Sequence, residues 1–204
     1  MEQDTKIKLC GMMNPLDVVT AMELKADYVG FILSEGFRRT IGPETFGELV
    51  RYLTESAVQK VGVFVNEPVE NIMECYAEKL DLIQLHGNED AQYIRNLRKY
   101  TDKPIIKAFK ISSAEDIQKA KECPADYVLL DSGTGTGKLF DHSLIAGIDR
   151  PYFLAGGLTA ENVVQAIQKL HPFAVDASSC LETDGKKNPE KMRRFVTAVC
   201  SAMI

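Results

Sequence analysis

Eight short runs of mostly apolar, β-favouring residues recur along the 204-residue chain. They are Ile7–Met12, Asp27–Leu33, Lys60–Val65, Asp81–His86, Pro104–Phe109, Asp126–Asp131, Pro151–Ala155 and Phe173–Ala177. Their apolar residues run on instead of alternating with polar ones, as in strands covered on both faces. Between the runs the apolar positions switch to helical spacing, and Val18, Ala21, Met22 and Leu24 form one such stripe. The runs start about every 24 residues, the size of one strand-plus-helix unit in a parallel sheet. Asn14-Pro15 and Asn188-Pro189 each place an amide cap before a proline at the first helical position. Gly42-Pro43-Glu44, Glu67-Pro68, Asn88-Glu89 and Ser113-Ala114-Glu115 predict the starts of the second to fifth helices, and Thr159-Ala160-Glu161 that of the seventh. In the sixth unit a glycine loop delays the helix to Asp141–Ile148. Eight units without a linker predict one α/β domain over residues 1–204, a compact (β/α)8 TIM barrel. A doubly wound open sheet is the alternative.

Composition narrows the function classes. An apolar content of 45% with 26% charged residues is ordinary for a globular enzyme-sized domain. A net charge of −5 supplies no basic footprint, so neither nucleic acid nor an anionic membrane is an expected partner. No apolar run reaches the length of a membrane span, and Met1-Glu2-Gln3-Asp4 lacks the regions of a signal peptide. The five cysteines are odd in number and widely spaced, which predicts reduced thiols in a cytoplasm. No Cys-x-x-Cys or His-x-x-x-His spacing occurs, so no metal site is expected.

In a barrel, chemistry gathers at the carboxyl ends of the strands. Those ends read Cys10-Gly11, Ser34 to Arg39, Asn66, His86-Gly87, Phe109, Asp131-Ser132, Gly156-Gly157 and Ser178-Ser179. Asp131 closes an apolar run, a costly place for a carboxylate unless it is paired or functional. Its bland reading is a loop anchor that accepts backbone N–H bonds. Cys10 reads equally as a small apolar filler or as a base facing Asp131 across the mouth. Alternation puts Lys8 on the face that carries Cys10, with Asp176 on the eighth strand as its counter-ion, and Lys8 is expected to favour the Cys10 thiolate.

Gly133-Thr134-Gly135-Thr136-Gly137-Lys138 resembles a phosphate loop at first sight. The Walker spacing fails, because Ser132 stands five residues before Gly137 and Leu139 follows Lys138. The dinucleotide fingerprint fails too, with Lys138 in place of its third glycine. A phosphate site is expected instead at Gly156, Gly157, Ser178 and Ser179, between the last two strand ends. The glycine loop then reads as a flexible cover over Asp131. Arg38 and Arg39 follow the second strand, where a guanidinium suits a carboxylate. Gln84 and His86 close the fourth strand, His86 as acid–base group or rim hydrogen-bonder.

These residues resemble the phosphoribosylanthranilate isomerase family of tryptophan biosynthesis nearly end to end. Lys8-Leu9-Cys10-Gly11-Met12 is similar to its opening motif, Ala26-Asp27-Tyr28-Val29-Gly30-Phe31 to its second strand and Gln84-Leu85-His86-Gly87 to its fourth. Leu130-Asp131-Ser132, Gly135-Thr136-Gly137 and Phe140-Asp141 resemble its sixth unit, and Leu154-Ala155-Gly156-Gly157-Leu158 its seventh. Val175-Asp176-Ala177-Ser178-Ser179, with Glu182 and Gly185-Lys186-Lys187, resembles its eighth. The resemblance implies an Amadori rearrangement without cofactor or metal. It implies Asp131 as general acid, Cys10 as general base, Arg39 as the carboxylate partner and Gln84 and His86 as substrate-binding residues. The expected partner is the phosphorylated sugar–anthranilate substrate, with the chain a monomer or homodimer. Three departures stand out: Phe37-Arg38-Arg39 where the family has Ser-Pro-Arg, Cys180 where it has glycine, and His142 where it has tryptophan. Two other readings are a Schiff-base aldolase with Lys107 as nucleophile, and a phosphate-ligand binding barrel without chemistry.

Overall fold

A computed structural model of the chain describes residues 4–131, 145 and 147–202. The glycine loop 133–137, Ser132, His142 and most of the stretch expected to form the sixth helix lie outside them. Eight parallel strands run β1 (Lys6–Cys10), β2 (Tyr28–Ile32), β3 (Gln59–Phe64), β4 (Leu82–Leu85), β5 (Ile105–Lys110), β6 (Tyr127–Asp131), β7 (Tyr152–Ala155) and β8 (Ala174–Ala177). They pair in sequence order, and β8 pairs back onto β1, so the sheet closes into a barrel and the open-sheet alternative falls. The described helices are α1 (Pro15–Glu23), α2 (Pro43–Leu49), α3 (Val69–Cys75), α4 (Ala91–Leu97), α5 (Ala114–Glu122), α6 (Val163–Leu170) and α7 (Pro189–Ser201). None of them is long and apolar enough to cross a membrane.

Local chemistry explains where the helices begin. Asn14 accepts from Asp17 N at 3.1 Å ahead of α1, Ser113 forms a capping box with Asp116 ahead of α5, and Asn188 accepts from the first turn of α7. Two expected starts are shifted. The cap of α4 is Asp90, because Glu89 turns inward to accept from Asn66 N, Gly87 N and Lys107 Nζ. The start of α6 slides to Val163 because Asn162 closes a turn of its own. It accepts from Thr159 N at 2.8 Å and donates to Gly157 O at 2.9 Å.

Strand alternation divides the core. Ile7, Leu9, Val29 and Phe31 face outward and pack with helix residues such as Val18, Ala21 and Phe46. The lumen holds Tyr28, Val61, Leu82, Ile106, Leu129, Phe153 and Ala174. At its amino-terminal end four aromatic rings interlock, Tyr28 edge-on to Phe153 at 5.4 Å and Tyr127 stacked on Phe173 at 5.1 Å. This plug seals the floor, so polar groups can gather only above it, towards the carboxyl ends.

The same aspartate recurs below the barrel. Asp27, Asp81 and Asp126, each just before an even-numbered strand, accept from Ile7 N, Lys60 N and Ile105 N at 2.8, 2.8 and 2.7 Å. Each thereby pins the start of the preceding odd strand. Phe173 holds the corresponding position before β8 and joins the aromatic plug instead.

After β8 a short antiparallel hairpin, β9 (Glu182–Thr183) and β10 (Lys186–Lys187), is added to the barrel. Asp184 and Gly185 at its turn both have positive φ, 50° and 77°, as a two-residue type I′ connection requires.

Candidate active site

The carboxyl ends of the strands enclose a pocket of about 410 Å³. Cys10 comes from β1, Arg39 and Phe37 from the loop after β2, Gln84 and His86 from β4 and Asp131 from β6. Gly156, Gly157 and Leu158 follow β7, and Asp176, Ser178, Ser179 and Cys180 come from β8 and the turn after it. Every site residue expected from sequence therefore lines one cavity.

The β1 side of this pocket is built around a buried ion pair. Lys8 is fully buried, lies opposite Asp176 in the strand register and donates to its two oxygens at 3.0 and 3.1 Å. Burial lowers the Lys8 pKa but Asp176 and Cys10 outweigh it, so the ammonium is held above its ordinary value. For Cys10 the balance differs from the sequence expectation. Burial raises the thiol above its ordinary value, and Lys8 and Lys187 draw it down only in part, while Asp176 pushes it further up. Lys8 acts in the expected direction, but desolvation wins.

Space for this arrangement depends on Gly30, the register neighbour of Cys10 on β2. A methyl there would stand 2.6 Å from Cys10 Sγ and 3.0 Å from Lys8 Nζ. Sequence reasoning missed Gly30, since a glycine inside a strand signals a close approach without saying to what.

Across the mouth, Gln84 Nε2 lies 2.9 Å from His86 Nδ1, and His86 Nε2 lies 3.8 Å from Asp131 Oδ2. Gln84 is almost fully buried, and its Oε1 is a buried acceptor with no partner among the described residues. Such a group costs about 1–3 kcal/mol until a donor reaches it, so this atom marks a place for a ligand N–H or O–H.

The two segments expected to form an anion cradle come together in the pocket. Gly156 and Gly157 have φ of 86° and 66°, which bends the loop after β7 into the pocket, and the Asn162–Gly157 bond holds it there. Ser178 Oγ donates to Cys10 O at 3.0 Å, so this hydroxyl ties the turn after β8 to β1, and Lys187 Nζ donates to Ser178 O at 2.9 Å. Cys180 belongs to a 3-10 turn, Ser179–Leu181, and its φ is not positive, so the departure from glycine introduces no backbone strain.

The loop after β2 is fixed from the other side. Arg39 Nε and Arg38 Nη2 each reach Glu182 at 2.5 Å, and Lys187 Nζ lies 3.1 Å from the same carboxylate. Burial pushes the Glu182 carboxyl up, but bonds from Arg39, Arg38 and Lys187 prevail and bring it down to about 2. Arg38 is exposed, as the solvated-loop reading expected, and its guanidinium also ties this loop to Glu182 and Gly185.

The aldolase reading loses its nucleophile. Ile106 faces the lumen, Lys107 points away from it, and its Nζ lies 2.7 Å from Gly87 O and 3.0 Å from Glu89 behind the barrel wall. Among the described residues no group of three His, Cys, Asp or Glu side chains is arranged to hold a metal.

Comparison with known proteins agrees with this geometry. A family model described as N-(5'-phosphoribosyl)anthranilate (PRA) isomerase matches residues 7–198. The N-(5'-phosphoribosyl)anthranilate isomerase of Caldanaerobacter subterraneus subsp. tengcongensis is 41% identical over 202 residues, covering 95% of this chain and 97% of its own. The crystal structure of the Thermotoga maritima isomerase superposes with a TM-score of 0.87 at 36% identity, covering 97% and 99% of the two chains. A PRA isomerase in complex with reduced 1-(o-carboxyphenylamino)-1-deoxyribulose 5-phosphate superposes at 0.84 with 34% identity and the same coverage. Likeness over the whole barrel at these identities leaves no room for a chance resemblance, and the chain belongs to the phosphoribosylanthranilate isomerase family.

Proposed function

We propose that the chain converts N-(5-phosphoribosyl)anthranilate to 1-(2-carboxyphenylamino)-1-deoxyribulose 5-phosphate, the Amadori step of tryptophan biosynthesis, with Asp131 as general acid and Cys10 as general base. Asp131 protonates the furanose ring oxygen as the C1'–O bond breaks, and the nitrogen lone pair closes a protonated Schiff base. The Cys10 thiolate then removes the C2' proton, and the released electron pair forms the enolamine. Ketonisation puts a proton on C1' and frees the one on the C2' oxygen, so the whole reaction is proton-neutral. Arg39 holds the anthranilate carboxylate, and the Gly156–Gly157 and Ser178–Ser179 segments hold the phosphate. Gln84 Oε1 accepts from a substrate N–H or O–H while His86 flanks Asp131.

The observation that carries this reading is that one pocket is lined at once by Cys10, Asp131, Arg39 and both halves of the anion cradle. A phosphate and a carboxylate held at two points of this pocket would fix the sugar's C1'–C2' bond relative to the two proton-transfer groups. Cys10→Ser and Asp131→Asn should each lower kcat on freshly made phosphoribosylanthranilate by about 10²-fold or more. Full activity in both variants would remove the assignment.

A further inference from the structure

Glu182 takes no part in the proton transfers, yet two loops meet on it. Its Oε2 accepts from Arg38 Nη2, and its Oε1 from both Arg39 Nε and Lys187 Nζ. On its own side the β9–β10 hairpin holds the carboxylate, because Lys187 is its register partner and has a side chain with no solvent exposure. Arg38 adds a second tie by donating Nη1 to Gly185 O at 2.6 Å. Gly185 has to be glycine here, since a methyl would lie 2.9 Å from that same Nη1 on a backbone with φ of 77°.

Arg39 commits only its Nε to Glu182. Among the described residues no hydrogen bond or ion pair engages its two terminal amino groups. Those groups carry four of the five N–H donors of a guanidinium, and the residue lines the pocket. An arginine fixed along one edge of its planar fork has lost rotamer freedom before a ligand arrives, so less is lost on binding.

We propose that Glu182 is the positioning residue of this site: it holds Arg39 by Nε so that the terminal edge of the guanidinium is presented to the substrate's carboxylate. The proposal rests on the reading of Arg39 given above. It makes the hairpin after β8 part of substrate recognition. It also explains Arg38, which shares the Glu182 carboxylate and locks the second loop onto the hairpin.

A double-mutant cycle separates positioning from general support. Binding of reduced 1-(o-carboxyphenylamino)-1-deoxyribulose 5-phosphate is measured by calorimetry for wild type, Glu182→Gln, Arg39→Ala and the double variant. Glu182→Gln should weaken binding about tenfold when Arg39 is present and less than about twofold in the Arg39→Ala background. Equal losses in both backgrounds overturn the proposal. Ribose 5-phosphate lacks the carboxylate and should inhibit wild type and Glu182→Gln alike. A parallel loss of that inhibition means Glu182 only holds the mouth together, and also overturns the proposal. Unchanged affinity in Arg39→Ala alone removes the assignment of Arg39, and the proposal with it. Should Glu182→Gln fail to fold, Glu182→Asp keeps the charge beside Lys187 and shortens the reach to Arg39, so the same cycle reads the same coupling.

Discussion

Cys10 shows how three neighbours and burial contend over one proton. Burial in the lumen wall raises the thiol above its ordinary pKa, with Lys8 and Lys187 pulling the other way and Asp176 adding to the rise. The alkylation rate of Cys10 against pH should follow those signs. Asp176→Asn removes a group that disfavours the thiolate and should move the midpoint down. Lys8→Met removes a group that favours it and should move the midpoint up. The reverse order of the two variants, measured by iodoacetamide labelling of Cys10, would contradict this account. The residue types of the site were legible from sequence because strand ends are fixed by short apolar runs. The net state of the thiol was not, because desolvation depends on how tightly Gly30 lets β2 approach.

At the scale of elements, the strands fall within two residues of the apolar runs that predicted them. Continuous apolar segments of this length have few other uses in an α/β chain. The helix starts at Asn88-Glu89 and Thr159-Ala160-Glu161 were misplaced because Glu89 and Asn162 bond to distant or looped backbone before the helix begins. Glu182 carried no readable role, since its partners Arg38 and Arg39 lie more than 140 residues earlier. Nor did the sequence announce the aspartates that pin odd strands from below, because each acts across a strand–helix–strand unit. Asp81 is a fair test of that device. Asp81→Ala should cost about 1–3 kcal/mol in urea unfolding through the unpaired Lys60 N–H. Asp81→Asn keeps an acceptor and loses only the partly exposed Lys60 ion pair, so it should cost less than about 1 kcal/mol. Equal losses would mean the ion pair, and not the backbone bond, does the pinning.

At the scale of the whole molecule, the barrel, its floor and its open end follow from one sequence rule applied eight times, and that rule was visible in hydropathy alone. Closure was not, since periodicity cannot say whether the last strand meets the first or ends an edge. The seam that closes the ring holds a buried ion pair. The β1–β8 junction carries Lys8 directly opposite Asp176, a fully buried ammonium whose partner lies 168 residues away along the chain. An unpaired charge in that position is strongly destabilising, by about 3–5 kcal/mol when one partner of a buried pair is lost. A chain ending at Leu170 should therefore show no cooperative unfolding transition by circular dichroism. A fragment that melts like the intact protein would show that the seam is dispensable.

During synthesis the amino-terminal strand leaves the ribosome first, with Lys8 already in it. Until the segment bearing Asp176 follows, burying that lysine is unfavourable, so β1 has reason to stay wet while its neighbours assemble. The ion pair therefore couples the two edges of the barrel sheet, since the eighth strand must be in place before the first can be enclosed without an unpaired charge.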